Sequence, residues 1–592
     1  MNGWKWDLSV LYSSLDDEKI EKDIALFLED MTAYENALQS EAPAKQKLET
    51  IVEYCEKIGL AMSRLISYAQ LTLSVDATNE KAQNLYTRML NYMVDVDMLE
   101  SKFSDYVQSI PELDEVIASS EKLSTIPYAL RGLKNKAQHL LPKEAEPWML
   151  KLSLSGGSAF EQLRDVLDAT LMVDYQGEQI PLSKARGYAY DPDANVRKAA
   201  YEAEIASYAK VEHAMAACLN GVKGEALVMA EARNFGSVLD RSLALNNNMQ
   251  RKTLDAMFEA IDEVLPYFRQ YMQKKATYMG YEGGLPFYEM FAPINVKGYE
   301  PKTYTIEEAR EKLIEELSKF SPDMGKFIDQ AFEDKWIDVF PAAGKRGGAF
   351  CAELYEYKQS RVMSNFTGSP SDVSTLAHEL GHAWHNRQLE NIPFMQANTP
   401  MPLAETASIF NETLLAHAMR QQADKKEEFF LLESELMEKT QVIVDIYSRY
   451  LFEASVIENR KTHTLSVEEL KNAMLDAQDK TYGEGLAEDC RHPYMWACKP
   501  HYYSTDYAFY NFPYAFGMLF GLGVFAQYLK KGSSFVPEYN KLLSICGSYD
   551  IEEVAKQANI DVTSVDFWRS SLQVIVNDIK TFLQLADEFM KK

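Results

Sequence analysis

The chain has few cysteines for its length. Six cysteines are scattered through 592 residues. Disulfide-stabilised secreted domains carry a much higher density, so we expect free thiols and a reducing compartment. The opening segment, residues 1–24, turns acidic where a signal peptide would continue into an apolar core. We therefore expect a cytoplasmic protein.

Positive charge and long apolar runs are also scarce. The chain has 61 Lys and Arg against 88 Asp and Glu, which gives a net charge of −27. Nucleic-acid binding needs clustered basic residues, so we expect no nucleic-acid partner. The longest apolar run, residues 515–526, is too short to cross a bilayer, so we expect no membrane partner. No feature indicates an oligomeric state.

Helical periodicity dominates the rest of the chain. Apolar residues recur every three or four positions, with charges between them, in several long segments. These segments are 16–37, 43–70, 76–108, 192–234 and 249–279, and capping boxes at 305–308 and 466–469 open two more helices. Strand-like patterns occur only in a hairpin at 171–182 and in residues 347–357 and 361–366. We expect a mainly α protein with a small β-sheet.

The length of the chain indicates more than one lobe. Single cores stop growing at about 250–300 residues, and this chain is twice as long. No internal repeat or low-complexity linker separates the lobes, and we place a boundary near 185–200. We predict an N-terminal helical domain over residues 1–190 and a second domain, which carries the candidate site, over 191–592.

The most informative motif is HELGH at 378–382, which fits the His-Glu-x-x-His pattern of zinc peptidases. On a helix, His378 and His382 lie one turn apart on the same face, where two imidazoles can bind one ion. Glu379 lies about 100° around that helix, close enough to hold a metal-bound water without binding the metal. We predict a catalytic metal site.

The helix that carries this motif is predicted to end at Leu389 and to begin at Ser371 or Asp372, either of which can cap it. His385 lies on the same face as the two ligands, but about 10 Å along the axis from the first. One ion with bonds of about 2 Å cannot reach all three rings, so we interpret His385 as a packing or supporting residue. A third histidine ten positions after the first is excluded, because that position is Gln388.

The third ligand must therefore come from another segment. Prolines at 393, 400 and 402 indicate a loop, and helical periodicity resumes over 403–419. Glu405, near the start of this second helix, is the candidate. Two His and one Glu leave the fourth position open for water, which is the catalytic arrangement. Glu412 lies two turns further on, and it either supports a ligand or forms a surface ion pair.

The motif HELGH, followed by ETASIFNE at 405–412, resembles the zinc oligopeptidases related to thimet oligopeptidase, especially the bacterial oligoendopeptidase F branch. Three other segments are similar to this branch: WDLSVLY at 6–12, KRGGAFC at 345–351 and HYYSTDYAFYNFPYAFG at 501–517. The resemblance implies a zincin-like catalytic core in an elongated, multi-helix shell. It also implies a deep channel between the lobes that admits short peptides.

The same resemblance implies roles for individual residues. His378, His382 and Glu405 would bind one Zn²⁺ ion, and Glu379 would be the general base that activates the zinc-bound water. The implied function is a metallo-oligopeptidase that hydrolyses internal bonds of short peptides. The alternatives are a zinc carboxypeptidase on a similar helical fold and a peptide-binding protein without turnover, although a binder needs no general base.

A C-terminal segment would supply donors to the transition-state oxyanion. The resemblance assigns this role to His501, Tyr507 and Tyr514, and neutral donors aimed at developing negative charge suit it. An aromatic core stripe is the alternative for any one tyrosine, because three more crowd the same segment: Tyr502, Tyr503 and Tyr510.

A competing metal site is also conceivable in this region. Two cysteines and two histidines could form a structural zinc site, and they are Cys490, His492, Cys498 and His501. Their spacing matches no common zinc finger, and such a site would prevent His501 from acting on substrate. We favour the catalytic role.

Overall fold

A computed structural model describes residues 4–142 and 144–590. It is mainly helical with two small sheets, so the predicted fold class is confirmed. The described residues form two compact units, each assembled from three separate segments of the chain. The first unit comprises residues 4–139, 301–418 and 527–559, and the second comprises 140–300, 419–526 and 560–590. The boundary near residue 190, the elongated shape and the channel stay predictions.

The first unit contains the three long amphipathic helices predicted near the N-terminus. Their apolar faces meet in one core, where Phe27, Leu48 and Phe103 are fully buried. The helices that lie or begin in this unit are Glu18–Gln39, Ala44–Val75, Glu80–Gln108, Leu113–Ala118, Pro127–Ala137, Ile306–Phe320, Pro322–Glu333, Pro370–Leu389, Met401–Ala404, Thr406–Gln422, Val536–Ser544 and Ile551–Gln557. The capping box predicted at Thr305 is confirmed.

A three-stranded sheet also belongs to the first unit. Its central strand, Gln359–Met363, pairs in parallel with Ile337–Asp338 and antiparallel with the edge strand Phe350–Leu354. The predicted strand region at 347–357 is therefore shorter than expected. Gly348 has a φ of +79°, so the chain turns there and enters the strand two residues later.

The second unit has a core of its own, in which Tyr208, Leu219 and Trp496 are fully buried. The predicted hairpin is confirmed, with Met172–Tyr175 paired antiparallel to Glu178–Pro181. The helices that lie or begin here are Glu146–Ser155, Gly157–Thr170, Leu182–Gly187, Ala194–Tyr208, Glu212–Ala232, Val238–Ser242, Arg251–Tyr278, Lys425–Thr440, Ile446–Arg460, Val467–Tyr482, Met495–Cys498, Phe512–Lys531 and Val565–Met590.

The apolar run at 515–526 lies within a longer helical stretch than its composition indicated. Phe512–Ser544 is long and apolar enough to cross a membrane, with a mean hydropathy of 1.3. The length of the apolar run therefore does not exclude a membrane span, and the absence of a membrane partner stays a prediction. However, 78% of the apolar window is buried inside the protein, which is typical of a core helix.

Candidate metal centre

The helix that carries HELGH is Pro370–Leu389, and its start is firmly fixed. Ser369 caps it in a capping box with Asp372, so the prediction that Ser371 or Asp372 would be the cap is wrong. Pro370 occupies the first helical position, where its missing N–H costs nothing. The Asp372 carboxylate also accepts hydrogen bonds from three backbone N–H groups of the preceding loop. This network holds the first turn in place.

The other end of this helix is tied to the sheet. The Asn386 amide donates a 3.1 Å hydrogen bond to Ser360 Oγ on the central strand. On the same helix, Trp384 packs edge-to-face against Phe327, with ring centroids 5.4 Å apart. The helix therefore lies on a rigid support rather than on a loop, as a preorganised site requires.

Three side chains converge beside this helix. Glu405 Oε2 lies 3.3 Å from His378 Nε2 and 3.4 Å from His382 Nε2. Tetrahedral zinc with bonds of about 2.0–2.1 Å would place its ligand atoms about 3.3 Å apart, so the spacing fits such an ion. Within residues 4–142 and 144–590, this is the only group of three or more His, Cys, Asp or Glu with converging ligand atoms.

Glu405 lies at a break between two helices rather than inside one. The short helix Met401–Ala404 ends directly before it, and Thr406–Gln422 begins directly after it. Ser408 Oγ, which is fully buried, donates a 2.8 Å hydrogen bond to Glu405 Oε2. We did not identify Ser408 from the sequence. Its position three residues after Glu405 was the available signal, because side chains three residues apart in a helical segment can touch.

The close approach of the two ligand-bearing segments depends on Gly381. A Cβ atom at this position would lie 2.6 Å from the carbonyl oxygen of Ala407 and 2.6 Å from Cα of Ser408. Both are backbone atoms, which cannot rotate away. The absence of a side chain at Gly381 therefore lets the His378–His382 face meet Glu405.

Glu412 supports a predicted ligand. Its Oε2 lies 3.1 Å from His378 Nδ1, which decides between the two alternatives left open by the sequence. A carboxylate that accepts the Nδ1 proton selects the tautomer whose Nε2 is free to bind a metal. The same contact orients the ring of His378 toward Glu405.

His385 does not join this group. It is 3% exposed, and its Nε2 lies 3.2 Å from the carbonyl oxygen of Leu543. Burial lowers its pKa to about 4, so the ring is neutral at physiological pH. This agrees with the interpretation of His385 as a packing residue.

The two carboxylates nearest the candidate ligands have opposite pKa shifts. Burial raises the pKa of Glu379 to about 7, and the repulsion of Glu405 and Glu412 adds to this effect. Burial also acts to raise the pKa of Glu405. However, the hydrogen bond with His378, the positive charge of the same ring and the hydrogen bond from Ser408 outweigh it and hold that pKa at about 2. Glu405 is thus a permanent anion, whereas Glu379 can exchange a proton near neutral pH.

The two candidate imidazole ligands also differ. Burial lowers the pKa of His382 to about 4, so this ring is neutral. Burial opposes charge on His378 too, but the hydrogen bonds with Glu405 and Glu412 raise its pKa well above the usual value. Without a metal, His378 is therefore protonated and neutralises part of the acidic cluster. A metal ion would have to displace this proton.

The other predicted catalytic residues lie in the second unit. The His501 ring is 5.3 Å from that of Tyr510 and 6.1 Å from that of Tyr514, and Tyr507 and Tyr510 are 4.7 Å apart. Tyr507 donates a 2.5 Å hydrogen bond to Asn247, which ends a π-helical turn. These side chains form one aromatic cluster.

His501 is neutral in this cluster. Burial lowers its pKa to about 4, and the positive charges of Arg449 and Lys499 act in the same direction. Its Nδ1 atom is buried and has no hydrogen-bond partner in the part of the chain that the structure describes. Tyr502 and Tyr503 are fully buried in the core of the second unit, so they match the core-stripe alternative.

The competing structural zinc site is not formed. His492 Nε2 lies 3.4 Å from Glu204, and the Cys498 thiol donates to the carbonyl oxygen of Met495. The four side chains of that proposal do not converge among the described residues. His501 is therefore not engaged as a structural ligand.

A His-Glu-x-x-His helix that meets a Glu directly before a second helix defines a metallopeptidase of the zincin class. The comparison with protein families agrees, because residues 187–574 match the model of peptidase family M3. The chain belongs to peptidase family M3. This confirms the resemblance derived from the motifs and the prediction of a metalloendopeptidase of the oligoendopeptidase type.

Curated relatives match over nearly the whole chain. The oligoendopeptidase F homolog of Lactococcus lactis subsp. lactis is 25% identical over 98% of this chain and 97% of its own length. The oligopeptidase PepF of Bacillus subtilis is 24% identical over 94% of this chain and 84% of its own length.

Solved structures share the fold. A protein from Chlamydophila abortus superposes with a TM-score of 0.83 at 22% identity and covers 98% of both chains. The oligoendopeptidase F of Enterococcus faecium has a TM-score of 0.71 at 20% identity, over 98% of this chain and 100% of its own.

The Gly381 contact leads to a first prediction. Gly381→Ala should lower the free energy of unfolding by about 1–3 kcal/mol, because the new methyl group meets backbone atoms. It should also weaken metal binding, because the two ligand-bearing segments must move apart. Denaturant unfolding and metal titration measure the two effects. Gly347→Ala is the matched control, since a Cβ there meets nothing within 4 Å. Equal stability and metal affinity for both variants would contradict the close-approach argument.

A second prediction concerns Ser408. Ser408→Ala removes the hydrogen bond that orients the Glu405 carboxylate, so metal affinity should fall about tenfold or more. Competition with a chromophoric chelator measures this affinity directly, without turnover. The control Ser371→Ala removes an exposed hydroxyl near the start of the HELGH helix and should leave the affinity unchanged. Unchanged affinity in Ser408→Ala would show that Glu405 is oriented without the serine.

Proposed function

We propose that this chain is a cytoplasmic zinc metallo-oligopeptidase that hydrolyses internal bonds of short peptides. The observation that carries the proposal is the convergence of two imidazole nitrogens on one carboxylate oxygen, at 3.3 and 3.4 Å. Beside them lies Glu379, which makes no ion pair with this group among the described residues. Membership of peptidase family M3 supports peptide substrates.

His378, His382 and Glu405 hold the metal in this proposal. Two His and one Glu are a donor set that suits zinc and leaves a coordination position for water. When bound, zinc acidifies water and polarises the scissile carbonyl group. Glu412 and Ser408 keep the donor atoms oriented, through His378 Nδ1 and Glu405 Oε2 respectively.

Glu379 is the general base. Its carboxyl group is buried, and its pKa of about 7 lies in the range in which a group can accept and return a proton. Glu379 takes a proton from the attacking water and passes it to the amine of the departing peptide. A direct bond between Glu379 and the metal would prevent this proton transfer. Glu379 can therefore act as the base only because it is not a metal ligand.

His501, Tyr507 and Tyr514 stabilise the oxyanion of the tetrahedral transition state. The low pKa of His501 keeps its ring neutral, so it donates a hydrogen bond without bringing a permanent charge. Burial raises the pKa of Tyr507, which keeps its hydroxyl protonated, and in this proposal the hydroxyl turns from Asn247 to the oxyanion when substrate binds. Both protonation states are the ones that an oxyanion donor requires.

The preference for short peptide substrates and the cytoplasmic location are inferred from other observations. Two relatives with matching length carry the names oligoendopeptidase F and oligopeptidase, which supports short peptides as substrates. The six cysteines are all free thiols, as in proteins of reducing compartments. No charge cluster of the kind that binds nucleic acid was found in the sequence.

A zinc carboxypeptidase is the second candidate, because it would have the same metal helix together with a cation for the substrate's free carboxylate. Lys499, two residues before His501, is such a cation. Hydrolysis of one peptide with a free and with an amidated C-terminus separates the two functions. Cleavage of the amidated peptide supports the endopeptidase, whereas strict dependence on the free carboxylate would contradict it.

Glu379→Gln tests the general base. Turnover of an internally quenched peptide should fall about 10²- to 10⁴-fold, because the amide cannot accept the proton. Zinc content, measured by atomic absorption, should equal that of the parent protein, because Glu379 is not a ligand. Glu390→Gln makes the same chemical change just beyond the C-terminal end of the same helix and should keep parental activity. Full activity in Glu379→Gln would refute the mechanism.

Glu405→Ala tests the third ligand. This variant should lose bound zinc and turnover together, because two imidazoles alone hold the ion weakly. Added zinc should raise the melting temperature of the metal-free parent but not that of the variant, since only a bound ion stabilises the folded state. Zinc affinity equal to that of the parent would mean that another residue is the third ligand.

A further inference from the structure

Lys499 differs from the other cations around the aromatic cluster. It lies between the short helix Met495–Cys498 and the 3₁₀ turn Pro500–Tyr503, and its side chain is half-buried. Within the part of the chain that the structure describes, Lys499 makes no ion pair and no hydrogen bond. In a protein with 88 acidic residues and a net charge of −27, an unpaired and partly buried lysine requires an explanation.

The carboxylate whose charge attracts Lys499, Asp445, is paired with other groups. Asp445 binds the guanidinium group of Arg449 through Oδ2 and accepts a 3.1 Å hydrogen bond from Tyr482 through Oδ1. Arg449 also donates a 3.1 Å hydrogen bond to Asn511. Asp445 therefore attracts Lys499 only at longer range, and Arg449 repels it.

A third cation near His501, Arg164, has carboxylate partners for its two terminal nitrogens. It donates 3.1 Å hydrogen bonds to Asp165 and Asp168 and a 3.2 Å hydrogen bond to the carbonyl oxygen of Ala497. Its guanidinium group also lies over the Tyr503 ring. Lys499 is thus the one member of this group of three cations without a counter-ion.

The surroundings of Lys499 destabilise its positive charge. Burial lowers the pKa of Lys499, and the charge of Arg449 lowers it further. A partly buried charge without a partner opposes folding, so it persists where another function needs it. An anion that binds beside Lys499 would restore the missing partner.

We propose that Lys499 forms a subsite for the free C-terminal carboxylate of the peptide substrate. This inference rests on the proposed function, in which His501 contacts the scissile carbonyl. Among the groups of a short peptide, the carboxylates are the anions that an ammonium group can pair with. An acidic side chain has the same chemistry as the terminal carboxylate, and the amidated peptide described below distinguishes the two.

The chain geometry limits the length of the fragment beyond the cut bond. One residue, Pro500, separates Lys499 from His501, so their Cα atoms lie at most about 7 Å apart. The two side chains and their hydrogen bonds to the substrate extend this reach to roughly 24 Å. An extended peptide covers about 3.3–3.6 Å per residue, so the carboxylate lies at most about seven residues from the scissile bond. Substrates held in this way release a short C-terminal product.

Binding measured without turnover tests the subsite. The probe is a fluorescein-labelled pentapeptide with a free or an amidated C-terminus, added to zinc-loaded protein in the Glu379→Gln background. Fluorescence anisotropy should give a Kd about tenfold or more lower for the free acid, because a charged hydrogen bond discriminates strongly. Lys499→Met should abolish this preference, and Lys499→Arg should retain it.

The matched control is Lys198→Met, which removes an exposed lysine of the same unit and should not change either Kd. Lys499→Met should melt at or above the temperature of its Glu379→Gln background, since it removes a partly buried unpaired charge, and this shows that the variant folds. Equal affinity for acid and amide before the lysine is changed would overturn the proposal. A preference that survives in Lys499→Met would also overturn it.

Hydrolysis by the parent enzyme separates this inference from the proposed function. If the parent enzyme cleaves a quenched peptide but the binding assay shows no preference for a free carboxylate, the proposed subsite is refuted and the proposed peptidase function stands. Selective binding that depends on Lys499, without any cleavage, supports the subsite and refutes the peptidase.

Discussion

The metal centre depends on a close contact between two backbone segments. Gly381 has no side chain, so the HELGH helix can lie directly against the backbone of Ala407 and Ser408. This contact carries Glu405 to within 3.4 Å of both candidate imidazole ligands. A side chain at Gly381 would separate the segments, and the ligand set would be incomplete even if every ligand were present. The capping network at Ser369 and the sheet below the helix keep this contact in register.

Burial has different effects on the charged groups of the two units. In the first unit it raises the pKa of Glu379, while hydrogen bonds and nearby imidazoles hold Glu405 ionised. The same environment thus produces a proton acceptor and a permanent anion from one residue type, which is the division of roles that peptide hydrolysis requires. In the second unit, burial and neighbouring cations keep His501 neutral and lower the pKa of Lys499, which has no counter-ion among the described residues. The neutral His501 ring is suited to donating a hydrogen bond to an oxyanion, and the Lys499 ammonium group is suited to pairing with a carboxylate.

Much of the fold could be predicted from periodicity, because long amphipathic helices and capping boxes are local patterns. The hairpin at 171–182 was predicted for the same reason. The cap of the HELGH helix was misplaced by two or three residues, since Ser369, Ser371 and Asp372 can each serve as a cap and the sequence does not rank them. Glu412 was left with two roles, because helical spacing places it on a face but does not show what that face meets. Ser408 was missed because its role depends on a hydrogen bond to Glu405 Oε2. Lys499 was missed because its role depends on the absence of an ionic partner.

The sequence by itself determined the chemistry of this protein. His378 and His382 are spaced by about one helical turn, and a helix needs no tertiary contact to place two imidazoles on one face. Together with ETASIFNE, that spacing predicted the peptidase family. Only the tertiary structure decided which oxygen meets those nitrogens, which carboxylate supports His378 and which cation stays unpaired. Those outcomes depend on contacts between residues far apart in the chain, and local spacing carries no information about them.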